Sequence, residues 1–158
     1  MPNDILMALA GQPNAGKSTV FNLLTGAHQH VANYPGVTVE KKVGRFKLNG
    51  DGVELVDLPG TYSMTSYSME ERVARDFLFS EKPAVVVGVA DASNLKRHLH
   101  LAFQLMEMES PMVLALNMMD VAQARGQRID AGLLASKLGV AVAPMVGRKG
   151  RGKDELLA

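Results

Sequence analysis

The chain has 158 residues, of which 47% are hydrophobic, and its 17 basic and 16 acidic residues leave a formal net charge of +1. This length and apolar content predict one domain with a single core, and the near-neutral charge gives no sign of a nucleic-acid partner. The lack of cysteine excludes disulfides, thiolate metal sites and a cysteine nucleophile. No stretch approaches the roughly 20 apolar residues of a membrane helix, and the N-terminus is not a signal peptide, so we expect a soluble chain of cytoplasmic character.

The first predicted element is a buried strand over Ile5 to Ala10, which leads into the sequence GQPNAGKS, Gly11 to Ser18. This octapeptide fits G-x-x-x-x-G-K-[ST], the phosphate-binding P-loop, and a predicted helix over Lys17 to Thr25 follows it. In that context the backbone N–H groups of the loop wrap a triphosphate at the positive end of a helix. Lys17 is expected to reach the β- and γ-phosphates and the Ser18 hydroxyl to bind Mg²⁺. A chance glycine-rich turn would not bring strand, motif and helix into register.

The next segment, Ala27 to Thr38, has no periodic pattern and predicts a mobile loop. Val39 to Leu48 predicts a half-solvated strand, and Asn49 to Gly52 is a hairpin turn signal before a strand over Val53 to Val56. After a second irregular stretch, the sequence Ser68-Met69-Glu70-Glu71 has the form of a capping box that begins a helix.

The second half of the chain alternates predicted strands and helices. The strands cover Ala84 to Ala90, Met112 to Leu116 and Gly139 to Pro144. One helix has an apolar stripe made of Leu95, Leu99, Ala102, Phe103 and Met106, which leaves His98 and His100 as surface residues, and a weaker helix covers Ala131 to Leu138. The order predicts a doubly wound α/β fold, with a mostly parallel sheet and one antiparallel edge hairpin. Gly152 to Ala158 predicts a short closing helix, so we expect the natural polypeptide to continue.

Two further motifs narrow the nucleotide prediction. Asp57-Leu58-Pro59-Gly60 follows a strand in the form D-x-x-G, where Asp57 would hold Mg²⁺ through a water and the Gly60 N–H would meet the γ-phosphate. Thr38, in the loop before it, is placed to complete the Mg²⁺ shell. Both loops, the first switch around Thr38 and the second switch from Asp57 onward, would order with GTP and relax after hydrolysis, which is the behaviour of a switch.

The third motif is Asn117-Met118-Met119-Asp120, at the end of a predicted buried strand. An N-x-x-D pair at this place predicts guanine recognition, because a carboxylate accepts two N–H bonds from guanine and adenine offers no matching donors. A carboxylate left unpaired in the pocket rejects the wrong base. In this order and at strand ends, the three motifs together predict a guanine-nucleotide-binding switch.

These motifs and their surroundings resemble the N-terminal G domain of the bacterial ferrous iron transport protein B family, among P-loop GTPases of the TrmE-Era-like class. The resemblance covers essentially the whole chain and is most distinctive in NYPGVTVEKK, DLPGTYSMTSYSMEE, ASNLKRHLHLAFQL and ALNMMD. Related GTPases that act on tRNA or ribosomes usually carry P-G-T-T-R-D and N-K-x-D, which this chain lacks. Such a soluble enzyme is the first alternative, and a regulatory module that binds GTP but barely hydrolyses it is the second.

The resemblance implies a mechanism. Thr61 stands where Ras-like switches have a water-orienting glutamine, and threonine is too short for that role, so intrinsic hydrolysis should be slow. Asn14 would bind K⁺ beside the phosphates, with backbone carbonyls around Asn33 to Gly36 completing the site, so that K⁺ supplies the charge of an arginine finger. The alternative for Asn14 is a turn residue that tolerates the loop geometry.

The chain departs from the family in its final base-contacting loop, where Val146-Gly147 stands in place of Ser-Ala. Gly147 can still present its N–H to the guanine oxygen, but Val146 has no hydroxyl to steady the loop. Met118 also replaces the lysine whose stem packs on the base in many GTPases. We therefore expect modest affinity, fast GDP release and weakened guanine selectivity.

The sequence thus predicts residues 1–158 as a single GTP-binding domain of a membrane transporter for Fe²⁺, at the cytoplasmic face of the bacterial inner membrane. Its predicted partners are a guanine nucleotide, its own downstream helical and transmembrane domains and, in the full-length protein, a second copy. Lys17, Asn14, Thr38 and Gly60 are the predicted catalytic residues. The residues predicted to bind GTP or GDP, Mg²⁺ and K⁺ are Gly11, Asn14, Ala15, Gly16, Lys17, Ser18, Thr19, Gly36, Val37, Thr38, Asp57, Gly60, Asn117, Met118, Asp120, Val146 and Gly147.

Overall fold

The structure is a computed structural model that describes residues 4–26, 28–65, 67–108 and 110–157. Ala27, at the start of the predicted loop, and Ala158, at the end of the predicted closing helix, lie outside the described residues. The strands are β1 (Ile5–Gly11), β2 (Gln29–Asn33), β3 (Glu40–Leu48), β4 (Asp51–Asp57), β5 (Val85–Asp91), β6 (Met112–Asn117) and β7 (Ala141–Pro144). The helices are α1 (Lys17–Thr25), α2 (Met69–Glu81), α3 (Leu95–Glu107), α4 (Met119–Ala124), α5 (Ala131–Leu138) and α6 (Lys153–Leu157).

The strands form one seven-stranded sheet in the order β2-β3-β4-β1-β5-β6-β7. β3 pairs antiparallel with β2 on one side and with β4 on the other, and every pairing from β4 to β7 is parallel. The turn between β3 and β4 uses Asn49 and Gly50 at positive φ, which matches the predicted hairpin signal. The predicted doubly wound α/β fold with an antiparallel hairpin at one side is therefore confirmed.

The sheet has a hydrophobic core on each face. Ala8 and Ala10 of β1 point into a core under α2 and α3, while Met7 and Leu9 point into the other core, under α1. The neighbouring strands divide their residues in the same way, so the central strands are apolar on both faces, as parallel strands covered by helices are. Because β1 is buried on both faces of the sheet, the position of its last residue, where the following loop starts, is fixed by packing.

The N-terminus of α2 is held by the predicted cap. The Ser68 hydroxyl accepts a hydrogen bond from the Glu71 N–H at 3.0 Å, as a capping box requires. The second bond of a capping box, from the Ser68 N–H to the Glu71 carboxylate, is not formed. The carboxylate instead accepts a hydrogen bond from the Thr65 hydroxyl at 2.8 Å and a longer one from the Tyr67 N–H at 3.3 Å. The cap thereby also fixes the irregular segment that precedes α2.

Two expectations were wrong. Part of the predicted loop before Thr38 is an edge strand, β2, whose five residues are all exposed; it pairs through its backbone with β3, and its side chains carry no pattern. In α3 the inward face is His98, Leu101, Ala102 and Leu105. His98 is therefore buried, contrary to the prediction, and Phe103 from the predicted stripe is 49% exposed. The short helix α4 was not predicted.

Among the described residues, no helix has both the length and the apolar character needed to cross a bilayer.

Candidate nucleotide site

The predicted P-loop connects β1 to α1 at the carboxyl edge of the sheet. The loop turns through two residues at positive φ, Asn14 (φ 70°) and Gly16 (φ 87°), and Gly16 is the N-cap residue directly before α1. No side chain in the described part of the chain caps this end of α1, so its first N–H groups are free to bind another acceptor. A loop of this form, at the positive end of a helix, suits an anionic ligand.

Gly16 is required by a close approach as well as by its backbone angle. A Cβ at this position would overlap the Nδ2 atom of Asn117, and its φ is one that other residues rarely adopt. Asn117 lies at the end of β6, two strands away from β1 in the sheet. The P-loop and the predicted base-recognition motif are therefore in direct contact.

Lys17 links the P-loop to the second motif. Its ammonium group donates hydrogen bonds to the Asp57 carboxylate and, at 2.8 Å, to the Leu58 carbonyl, and both side chains of the ion pair are largely buried. Gly60 approaches the same loop from the other side: a Cβ there would lie 3.2 Å from Cγ of Pro13. The structure thus brings Lys17, Asp57 and Gly60 together, as predicted, although the sequence did not predict that Lys17 pairs with Asp57.

Thr61, where Ras-like switches carry glutamine, points into the protein. Its side chain is 3% exposed, and its hydroxyl has no hydrogen-bond partner among the described residues. Its backbone N–H donates to the Gly11 carbonyl at 3.1 Å. In this conformation Thr61 ties the second switch to the end of β1 and presents no group to a water in the site.

The first switch is attached to the second through Tyr34, which the sequence analysis missed. The Tyr34 hydroxyl donates to the Asp57 carbonyl at 3.1 Å, and the ring packs edge-on against Phe77 of α2 with centroids 6.2 Å apart. Burial, with a smaller contribution from the negative charge of Asp57, raises the pKa of Tyr34 above its ordinary value. The available signal was a tyrosine in the predicted loop of residues 27–38, which contains no phenylalanine or tryptophan.

The remaining residues of the first switch form a tight turn. The Tyr34 N–H donates to the Val39 carbonyl at 2.9 Å and the Val37 N–H donates to the Tyr34 carbonyl, with Gly36 at φ 75° between them. Thr38 is exposed on this turn. Its hydroxyl is available to a ligand, and the structure shows no contact between it and Ser18.

Asn117 joins the P-loop to the last loop of the site. Its Nδ2 donates to the Ala15 carbonyl at 3.1 Å, and its Oδ1 accepts from the Gly147 N–H at 2.9 Å. Both bonds are buried. The prediction that the Gly147 N–H meets the guanine oxygen conflicts with this geometry, because Asn117 already uses that donor.

The loop around Val146 is held by its backbone, although no serine steadies it. The Val146 N–H donates to the Arg151 carbonyl at 3.1 Å and the Arg151 N–H donates back at 3.2 Å. The Val146 side chain is itself buried. The expectation that valine leaves the loop unsteadied is therefore not supported by the structure.

These elements enclose a cavity of about 180 Å³ beside the P-loop. Its walls are Gly16, Thr19, Asn117, Met118, Asp120, Val121, Val146, Gly147 and Arg148. Met118 takes a left-handed backbone conformation (φ 61°) where β6 gives way to α4, and Asp120 follows in the first turn of that helix. The predicted base-recognition residues thus surround one cavity, next to the predicted phosphate-binding loop.

Arg148 is the second residue that the sequence analysis missed. Its guanidinium donates to Oδ2 of Asp120 through Nε at 3.1 Å and also through Nη2. This hydrogen bonding is the main cause that lowers the pKa of the Asp120 carboxyl group. The sequence signal was a cation directly after Gly147.

The described residues contain no group of three or more His, Asp and Glu side chains placed to hold a metal ion. The oxygen donors predicted for Mg²⁺ are Ser18, Thr38 and Asp57. Ser18 and Thr38 are exposed hydroxyls, and the Asp57 carboxylate lies beside the P-loop lysine. Hydroxyl and carboxylate oxygens are the protein donors that Mg²⁺ takes when substrate phosphates supply the rest, so these residues fit that ion.

Comparison with known proteins gives one consistent result. The family model described as "Ferrous iron transport protein B" matches residues 5–158. An Fe(2+) transport protein A/Fe(2+) transporter FeoB fusion protein of Porphyromonas gingivalis is 48% identical over 153 residues, which cover 96% of this chain and 18% of that protein. The Fe(2+) transporter FeoB of Salmonella typhimurium is 46% identical over 156 residues, covering 20% of its length. The chain therefore spans about a fifth of the length of the curated relatives it matches.

Solved structures agree with this match. The G domain of the T. maritima FeoB iron transporter superposes with a TM-score of 0.91 at 43% identity, covering 98% of this chain and 94% of that one. An S. thermophilus NFeoB mutant bound to GDP gives a TM-score of 0.91 at 46% identity, covering 97% of this chain and 60% of that one. The iron transport family is favoured over GTPases of tRNA modification or ribosome assembly.

Proposed function

The chain belongs to the ferrous iron transport protein B family, and from that premise we propose that it is the GTP-binding and GTP-hydrolysing switch of a membrane transporter for Fe²⁺. The observation that carries the proposal is the cavity lined by Asn117 and Asp120, which opens beside the P-loop and its Lys17–Asp57 pair. A base and a triphosphate of one nucleotide would occupy these adjoining places. The GDP bound by the S. thermophilus relative supports the guanine assignment.

The chain's own groups bind and orient GTP. The uncapped N–H groups at the start of α1 and the ammonium of Lys17 would donate to the β- and γ-phosphates, and Lys17 would exchange its bond to Asp57 for one to phosphate. Asp120 would accept the N–H donors of guanine. Asn117 would act through its two backbone bonds, which set the distance between the P-loop and the base cavity.

Two cations complete the proposal. Ser18, Thr38 and, through a water, Asp57 would hold Mg²⁺, which supplies positive charge at the β- and γ-phosphates. The exposed Asn14 side chain, on the outer turn of the P-loop, would hold K⁺, which supplies the charge of an arginine finger at the developing negative charge. Thr61 cannot orient the attacking water in the conformation described, because its hydroxyl is buried, which supports slow intrinsic hydrolysis.

Hydrolysis would then release the first switch. Tyr34 bonds to the backbone of Asp57, so any movement of the Asp57 segment on loss of the γ-phosphate would be passed to the turn that carries Thr38. The signal would pass to helical and transmembrane domains downstream of residue 158 at the cytoplasmic face of the inner membrane, and a second copy would associate in the full-length protein. Met118, which stands where many GTPases carry a lysine that packs on the base, favours modest affinity and fast GDP release.

The biochemical test is a steady-state GTPase assay with equal concentrations of KCl or NaCl. We expect faster hydrolysis in KCl, and we expect the Asn14→Ala variant to lose that difference while it retains GDP binding. ATP should compete with GTP much more weakly than GDP does. Equal rates in the two salts would contradict the role of K⁺, and competition by ATP as strong as that by GDP would contradict the guanine assignment.

The transporter part of the proposal has its own test. The codons that follow Ala158 in the natural gene should encode a helical region and then several spans of about 20 apolar residues. An open reading frame that stops soon after this point would overturn the assignment to a membrane transporter and leave the GTPase in place.

A further inference from the structure

The guanidinium of Arg148 lies on the carboxylate that the proposed function assigns to guanine. Both of its contacts, from Nε and from Nη2, go to the same oxygen, Oδ2 of Asp120. The Arg148 side chain is 69% exposed, whereas that of Asp120 is 20% exposed and forms part of the cavity wall. Both residues line the cavity, so the guanidinium lies beside the Asp120 carboxylate at the cavity wall.

The position of Arg148 is fixed by the loop that carries it. The preceding N–H, of Gly147, donates to Asn117, and the following turn is closed by the bond from the Lys149 N–H to the Val146 carbonyl at 2.9 Å. The loop is also joined to Arg151 by the paired backbone bonds of Val146. The hydrogen bonds of this loop thus hold the backbone of Arg148 in place next to Asp120.

Arginine and guanine present the same chemistry to a carboxylate. The N1–H and 2-amino group of guanine form a planar edge with two parallel donors, and a guanidinium forms a planar edge of the same kind. A carboxylate oxygen has two lone pairs, and both lone pairs of Oδ2 are used by Arg148. Guanine cannot bond to both carboxylate oxygens until the guanidinium leaves.

We propose that Arg148 is an internal competitor for the guanine base: its guanidinium occupies Asp120 in the nucleotide-free chain and must move away before guanine is recognised. This inference rests on the proposed function, because it needs Asp120 to be the guanine acceptor. Arg148 is then a residue that sets affinity for guanine nucleotides, and it does so by limiting how often the cavity is open.

The size of the effect follows from the exposure of the pair. Solvent-exposed ion pairs are weak and change an equilibrium constant by roughly 1.4-fold to fivefold. A site that is open for only a fraction of the time has its apparent affinity reduced by that fraction. Since the competition acts on the empty site, it lowers the association rate constant and leaves the dissociation rate constant unchanged.

The test is stopped-flow binding of a fluorescent GDP analogue to the 158-residue chain and its Arg148→Ala and Arg148→Gln variants. We expect both variants to associate faster, by about 1.4-fold to fivefold, with unchanged dissociation. The difference from the parent should shrink as ionic strength rises, because salt weakens the exposed ion pair. The matched control is Lys149→Ala, which removes the same charge from the next position, where no bond to Asp120 exists.

A second background isolates the pair itself. In the Asp120→Asn background, xanthosine diphosphate replaces GDP as the probe, because its 2-oxo group accepts a hydrogen bond from the new amide. In this background, adding Arg148→Ala should not increase the association rate constant. An equal gain from Lys149→Ala, a gain that persists in Asp120→Asn, or faster dissociation from Arg148→Ala would each overturn the inference. If the parent chain bound no guanine nucleotide at all, the proposed function would fail and the inference with it.

Discussion

The substitution Asn117→Ala tests how the site is assembled. Asn117 is 3% exposed and makes two buried hydrogen bonds, one to the Ala15 carbonyl and one from the Gly147 N–H. Alanine removes both bonds and leaves a buried carbonyl and a buried N–H without partners. The variant should therefore lose stability even when no nucleotide is present, because Asn117 joins the P-loop to the last loop of the site.

The magnitude follows from these two bonds. Each buried polar group left unpaired costs about 1–3 kcal/mol, and partial hydration of the opened space reduces that cost, so we expect a loss of about 2–4 kcal/mol. This is a large share of the roughly 5–15 kcal/mol that stabilises a typical domain. For a chain of this length it corresponds to a decrease of roughly 5–15 °C in Tm.

The assay is urea unfolding without nucleotide, followed by circular dichroism because the chain has no tryptophan. Asn22→Ala is the matched control, since Asn22 is an exposed asparagine on α1 and its loss should change the free energy of unfolding by less than about 0.5 kcal/mol. The slope of unfolding against urea should be the same in both variants. A stability of Asn117→Ala within about 0.5 kcal/mol of the control would refute the reasoning.

Three further predictions concern single contacts. Gly16→Ala should abolish binding of a fluorescent GDP analogue and lower Tm, because a Cβ there overlaps the Asn117 amide and φ is 87°; unchanged binding in a titration would contradict this. Tyr34→Phe should lose about 1 kcal/mol by removing the bond to the Asp57 carbonyl. Because burial raises the pKa of Tyr34, the parent should also lose stability as pH rises above about 10, and this loss should be smaller in the variant when Tm is measured at pH 8 and 11. Burial lowers the pKa of His98, partly opposed by Asp91, so the folded chain binds fewer protons than the unfolded chain and stability should fall as pH drops below about 6.5. His98→Leu should reduce that fall in urea midpoints between pH 7.5 and 5.5, whereas replacement of the exposed His100 should not.

The elements that the sequence predicted well are those whose side chains are buried on a regular pattern. The continuous apolar runs of β1, β5 and β6 gave those strands, and the Asn49-Gly50 turn gave the β3–β4 hairpin. β2 was not predicted because all five of its residues are exposed and it is paired to β3 through backbone bonds. Strand formation there depends on the neighbouring strand, and side-chain periodicity cannot report it.

The inward face of α3 shows a different limit. Leu95 and Leu99 are only partly buried, while His98 and Leu101 face the core. Apolar residues at several registers allow more than one stripe on this helix, and packing against β5 selects one of them. The sequence could not predict that a histidine would lie on the selected side.

At the site, the sequence predicted which residues meet but did not predict all of their bonds. The P-loop, Asp57 and the Asn117–Asp120 motif are brought to one edge because the strands before them are parallel neighbours or near neighbours. The pairs Lys17–Asp57 and Asp120–Arg148, and the use of the Gly147 N–H by Asn117, depend on side-chain conformations across loops. No local pattern in the sequence specifies such bonds.

The bond between Asn117 and Ala15 joins residues that are 102 positions apart in the chain. During synthesis, the P-loop therefore leaves the ribosome long before the strand that completes the base cavity. At about 5–20 residues per second, that interval is roughly 5 to 20 seconds. Throughout it, a growing chain would carry a P-loop with no base specificity, and the choice of nucleotide would require β6, then Asp120 and finally the loop around Gly147 to emerge. Nucleotide selection is in this sense a property of the finished sheet.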